Sequence, residues 1–132
     1  MLRRIWLCLP LLVGGCSRAT PPPDILPPSM AGVWKRTALE TPPVSSAPDP
    51  VPRTAVNWFE SANYEGPGKI ETRLYGLTSS GVALDLVQRW RPSADTVFFY
   101  SGKTFVVVKW EQADRKSLEA FVRDLQTRLG KG

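Results

Sequence analysis

The sequence predicts an α+β fold: an antiparallel sheet of four to five strands with two helices packed on one face, in the order β-β-β-α-β-β-α. Three observations carry this. Beyond residue 56, apolar residues alternate in four stretches and recur at helical spacing in two. The alternating stretches come in pairs, joined by the turn residues Gly66-Pro67-Gly68 and Ser101-Gly102-Lys103. A hairpin followed by a helix occurs twice, over residues 56–91 and 96–129, and each helix is apolar on one side only.

The elements follow in order. GVWKRTAL (32–39) reads as a short strand docking on the domain, with Val33 and Trp34 ahead of polar Lys35, Arg36 and Thr37. ETPPVSSAPDPVPR (40–53) reads as a long proline-rich loop, a length that goes with mobility or function. In VNWFESANYE (56–65), Val56, Trp58, Ala62 and Tyr64 fall on one face at period two; in KIETRLYGL (69–77), Ile70, Thr72 and Leu74 do the same. Thr78, Ser79 or Ser80 caps the first helix, because a hydroxyl there accepts from free backbone N–H groups. Ala83, Leu86, Val87 and Trp90 form its apolar face, and Pro92 ends it. Residues 97–100 and 104–110 are the second hairpin. The unbroken apolar run from Phe105 to Val108 marks a central, covered strand. The last helix begins at an Asp114 N-cap and carries the stripe Leu118, Phe121, Val122, Leu125 and Leu129. Glu119 with Arg123, and Asp124 with Arg128, are i,i+4 pairs of favourable order, and Gly130 is the expected C-cap.

The amino-terminal end is of another kind. Arg3 and Arg4 precede an apolar run over 5–13, interrupted by Pro10 and too short to span a bilayer. A basic start and a short apolar stretch have the form of an export signal. Val13-Gly14-Gly15-Cys16 then resembles the lipobox of bacterial lipoproteins. The resemblance implies cleavage between Gly15 and Cys16, a diacylglycerol on the Cys16 thiol, and acylation of the new amino terminus. Several acyl chains at about 0.8 kcal/mol per buried methylene anchor a protein nearly permanently. The alternative is an ordinary signal peptide cut after Ala19. Ser17 stands where an Asp favours inner-membrane retention in the lipoprotein family, so the resemblance implies the outer membrane in a Gram-negative host.

The expected organisation is a signal peptide over 1–15, the lipidated Cys16 with a proline-rich linker over 16–31, and one domain over 32–132 with its core at 56–129. Ten of the thirteen prolines lie between Pro21 and Pro52. Such chain leans toward polyproline II and reads as a stalk or a plain disordered linker. The stretches YEGPGKIETRLYGL, ALDLVQRWRP and FFYSGKTFVVVKW resemble small bacterial lipoprotein domains to which no activity is attached. That resemblance covers residues 56–129 and brings no site residues.

Composition bounds the chemistry. The chain of 132 residues carries a formal charge of +5. From Cys16 onward there are 15 basic and 12 acidic residues, interleaved as on a solvated surface, so no nucleic-acid partner is expected. There is no histidine, which excludes Ser-His-Asp and Cys-His catalysis. Cys8 lies in the discarded signal, so the mature chain has no disulfide and no thiol beyond Cys16. No catalytic residue, metal site or cofactor is expected.

Candidate binding features are few. Arg89, Trp90 and Arg91 form a possible partner- or anion-binding corner, although cations at a helix C-terminus are favourable in themselves. Tyr64, Tyr75, Phe98, Tyr100 and Trp110 could line a groove for a peptide, glycan or lipid if one sheet face is open. The Gly66-Pro67-Gly68 turn leads into a strand and lacks the geometry of a phosphate loop. Ser101 and Lys103 flank a hairpin turn, where the lysine stays protonated and cannot act as a base. Asp85, Glu60, Glu65 and Glu71 show no pairing that implies acid–base work. The expectation is a non-enzymatic binding or scaffolding module, tethered by acyl chains on Cys16 and facing the periplasm, with an envelope protein or glycan as partner. The alternative is a periplasmic carrier or sensor of a small apolar ligand.

Overall fold

A strand that is apolar on both sides needs cover on both sides, and this sheet receives it. The computed structural model describes residue 21 and residues 25–131. It contains β1 (Ser29–Met30), β2 (Trp34–Glu40), β3 (Val56–Gly66), β4 (Gly68–Leu77), α1 (Ser80–Arg89), β5 (Thr96–Ser101), β6 (Thr104–Glu111) and α2 (Arg115–Lys131). All strand neighbours are antiparallel, in the order β1-β2-β3-β4-β6-β5. The α+β class and the hairpin–helix repeat agree with the sequence reading. The sheet has six strands, not four to five.

The helices lie on opposite faces, which corrects the one-face arrangement. The cause is visible in β4 and β6, where neighbouring residues are buried in turn on both sides. Ile70, Leu74, Val106 and Val108 pack with Leu118, Phe121, Leu125 and Leu129 of α2. Tyr75, Leu77, Phe105 and Val107 pack with Ala83 and Leu86 of α1. β6 is thus the central, covered strand its apolar run predicted. The first hairpin also departs from simple alternation. A register shift between Val56 and Trp58 sends Val56 to the α1 side, while Trp58, Ala62 and Tyr64 belong to the α2 side.

The chain joins the core earlier than expected. Ile25, Leu26 and Met30 are buried against α2, and β1 pairs with β2 at Ser29–Lys35 and Met30–Trp34. From Ile25 onward, the segment read as linker is therefore part of the domain. The proline-rich loop over 40–53 is docked as well. It contains a one-turn 3-10 helix at Val44–Ser46, a second turn follows at Arg53–Ala55, and Ala47 and Val51 are buried in the cluster of Phe59.

Helix ends follow their sequence signals at one end more than the other. The Ser79 hydroxyl accepts from the Val82 N–H at 3.2 Å, so Ser79 is the cap among the three candidates. The Asp114 carboxylate accepts from the Ser117 N–H at 3.1 Å and its hydroxyl at 2.9 Å, which lowers the acid's pKa. At the far end α2 runs through Gly130 to Lys131, so Gly130 lies in the last turn and does not cap it.

Candidate functional site

The residues singled out in sequence do not converge. Gly15 and Cys16 lie outside the described residues. Arg89 is exposed and pairs with Asp85 across one helical turn at 3.2 Å. Trp90 turns inward, its ring 5.0 Å from Phe105 and 6.4 Å from Phe98, and Arg91 is exposed beyond the helix. The corner is thus a structural aromatic flanked by two solvated cations. The strand aromatics are divided by the sheet. Tyr64 is buried on the α2 side and Tyr75 on the α1 side, so they cannot share a groove. Tyr100 and Trp110 retain exposed surface, on opposite faces of the sheet.

An apolar groove of about 500 Å³ lies between α2 and the β5–β6 hairpin. Val97, Trp110, Ala113, Leu118 and Val122 form its floor and walls, with Arg115, Glu119, Arg123 and Gln126 along the helix side. Its sequence signal was faint. Val122 sits at the margin of the α2 stripe, and Trp110 looked like one more strand aromatic. The groove is open, and Arg115, Glu119, Arg123 and Gln126 along it are exposed.

A second constellation surrounds the chain's entrance into the fold. The Arg36 guanidinium donates to the Leu26 carbonyl at 2.6 Å, the Tyr64 hydroxyl to the Pro27 carbonyl at 2.7 Å, and the Ala31 N–H to the Asp124 carboxylate at 2.9 Å. Asp124 also pairs with Arg128 at 3.1 Å. Burial pushes the Tyr64 hydroxyl up to about 12, with Arg36 and Arg128 opposing, so it remains a donor throughout the physiological range. Burial also raises the Glu60 carboxyl above its ordinary value, again with Arg36 opposing.

A raised carboxyl binds its proton more tightly in the folded state. Stability then falls as pH rises from the ordinary Glu value through the raised one. Glu60→Gln is accordingly expected to raise the urea midpoint at pH 7. The gain should vanish below the ordinary carboxylate range, where Glu60 is protonated in both states. An equal gain at both pH values would remove this account.

Leu39 and Tyr100 are exposed on the sheet, and much of the remaining uncovered surface is polar. α1 and the loop over 40–53 cover part of their face and leave Asn63, Lys69, Glu71 and Lys109 around a shallow hollow of about 380 Å³. Cross-strand neighbours there alternate in sign, as in Lys35–Glu65, Glu65–Lys69 and Lys69–Glu111, which is how a solvated sheet face stabilises itself. Glu71 pairs with Arg73 at 3.3 Å. Among the described residues no cluster of three or more acidic, Cys or His side chains is placed to hold a metal ion. Comparison of the chain with protein-family models, curated proteins and solved structures gave no match.

Proposed function

We propose that this chain is an envelope lipoprotein, anchored by acyl chains on Cys16 at the periplasmic side of the outer membrane, whose domain is a non-enzymatic binding or scaffolding module. The observation that carries the reading is the lipobox-like Val13-Gly14-Gly15-Cys16 set so close to the fold. Ile25, the first buried residue among those described, follows Cys16 by nine positions. A fully extended chain covers at most about 3.6 Å per residue, so the anchor holds the domain within roughly 30 Å of the bilayer. Partners close to the membrane surface then meet the domain at high local concentration. Among the described residues no helix is long and apolar enough to cross a membrane. The missing histidine and the single mature cysteine support a binding role over catalysis.

Intact-mass measurement of the membrane-extracted protein tests it. The expected mass is that of residues 16–132 plus acyl groups, with the Cys16→Ala form unlipidated and released from the membrane fraction. A wild-type chain that begins unmodified at Thr20 would end the anchor reading. It would also favour the second reading, a periplasmic carrier or sensor of a small apolar ligand, for which the α2 groove with Trp110 is the supporting feature.

A further inference from the structure

Residues 25–30 fill one seat and are tied to it by one short turn. Ile25, Leu26 and Met30 belong to the cluster of Trp34, Tyr64, Phe121 and Leu125. The Arg36 guanidinium and the Tyr64 hydroxyl donate to the Leu26 and Pro27 carbonyls, and the Arg36 N–H donates to the Pro28 carbonyl at 2.9 Å. Nothing in these contacts requires the segment and its seat to belong to the same molecule. The segment precedes β2, so its departure leaves β2 to β6 and both helices in one piece.

The turn is the weak point. Residues 31–33 reverse the chain between β1 and β2. Ala31 has φ +53° and Gly32 φ +79°, both left-handed. A side chain is disfavoured there, so Ala31 stores strain that an extended backbone would release. Val33 in the same turn is 48% exposed. A short, strained hinge beside a terminal element invites exchange of that element between copies.

We propose that two copies of the chain exchange residues 25–30, each segment occupying the seat of the other. With the turn straightened, β1 and β2 run on as one strand. Two such strands pair antiparallel about a twofold axis through Gly32. The closed chain already sets the register, with Ser29 opposite Lys35 and Met30 opposite Trp34. The same pairs then form between copies, and the register adds Ala31 opposite Val33 and Gly32 opposite its counterpart. The apolar seat and the Arg36 and Tyr64 hydrogen bonds are kept. The bond from the Ala31 N–H to Asp124 belongs to the turn and is given up, while Asp124 keeps Arg128. The dimer gains the pairing of residues 31–33 and relaxes two left-handed alanines, against the entropy of joining two molecules. The occupant is a second copy, because what fills the seat in the closed chain is this chain's own segment. The inference concerns the folded domain and does not depend on the anchor.

Ser29→Cys combined with Lys35→Cys tests it. Both residues are exposed and lie opposite each other. The Arg36–Pro28 bond beside them marks a non-bonded pair, whose Cα separation of about 4.5 Å suits a disulfide. The detergent-extracted full chain is oxidised over a range of concentrations and run on a denaturing gel without reductant. A closed chain links within itself and runs as a monomer; an exchanged pair runs as a dimer that reductant separates. The expected result is a covalent dimer whose share rises with concentration and which is absent when either cysteine is reverted. Gly32→Ala meets nothing within 4 Å in the closed turn, so it acts through φ alone and should raise the dimer share. Ala31→Gly relaxes both hinges of the closed form and should weaken association about tenfold or more. Far-UV circular dichroism checks that each variant is folded. Links confined to single chains at every concentration overturn the proposal, even where sedimentation shows a dimer. Folded hinge variants that leave the dimer share unmoved overturn it as well.

Discussion

Replacing Ile25, Leu26 and Met30 together by alanine is expected to leave the domain largely unfolded at 25 °C. All three are buried in the α2 cluster, Met30 completely. Truncation of a buried Ile, Leu or Met to Ala costs about 2–5 kcal/mol, against a total stability of about 5–15 kcal/mol for an ordinary domain. The three residues touch one cluster, so their costs will not simply add, but even a partial sum approaches the whole. Urea unfolding followed by tryptophan fluorescence measures it. A midpoint equal to that of the wild type would return residues 25–31 to the status of linker.

Phe121→Ala carries the next largest expected effect. Phe121 is fully buried at the centre of α2. Its ring meets Trp34 edge-on at 6.0 Å and Tyr64 at 5.0 Å, so one side chain ties β2 and β3 to the helix. Loss of a buried Phe costs about 3–5 kcal/mol, and the edge-to-face contacts are worth about 0.5–1.5 kcal/mol each beyond area. For a domain of this size that is a fall in melting temperature of the order of 15 °C or more. Gln126→Ala, exposed on the same helix, should change stability by no more than about 0.5 kcal/mol. Similar losses from both variants would mean that α2 does not organise the core as described.

What was legible beforehand were the local elements. The turn at Gly66-Pro67-Gly68, the stripe of α2 and the two-sided run of β6 each depend on neighbours in sequence, and each is present. The side on which a helix packs is not a local property. Tyr75 and Leu77 alternate with Leu74 and Gly76, so β4 reads as apolar with either face as the inner one, and only the second helix decides. The bulge after Val56 is equally silent in sequence, because period two looks intact across it. The docked segment was hidden by its own composition. Pro27 and Pro28 suggest a linker, yet Arg36 and Tyr64, later in the chain, donate to the Leu26 and Pro27 carbonyls and hold the segment down. The groove beside α2 needed the distance between a helix and a hairpin, which no spacing encodes. The aromatic set was legible as a list but not as a surface, since Tyr64 and Tyr75 sit on opposite sides of one sheet.

The way the chain enters its fold has a mechanical consequence. Any pull from the amino-terminal side reaches Ile25–Met30 first, because β1 is the outermost strand and holds to β2 through only two residue pairs. Load on such an edge opens hydrogen bonds one at a time, like a zipper, and not all together. The contacts from Arg36, Tyr64 and Asp124 to residues 26, 27 and 31 would yield before the long β3–β4 pairing felt any tension. Release of residues 25–30 pays out roughly 20 Å of additional chain at about 3.4 Å per residue. The segment is thus a mechanical fuse: tension applied from the amino-terminal side would be taken up by a peelable strand, while β2 to β6 and both helices remain in place.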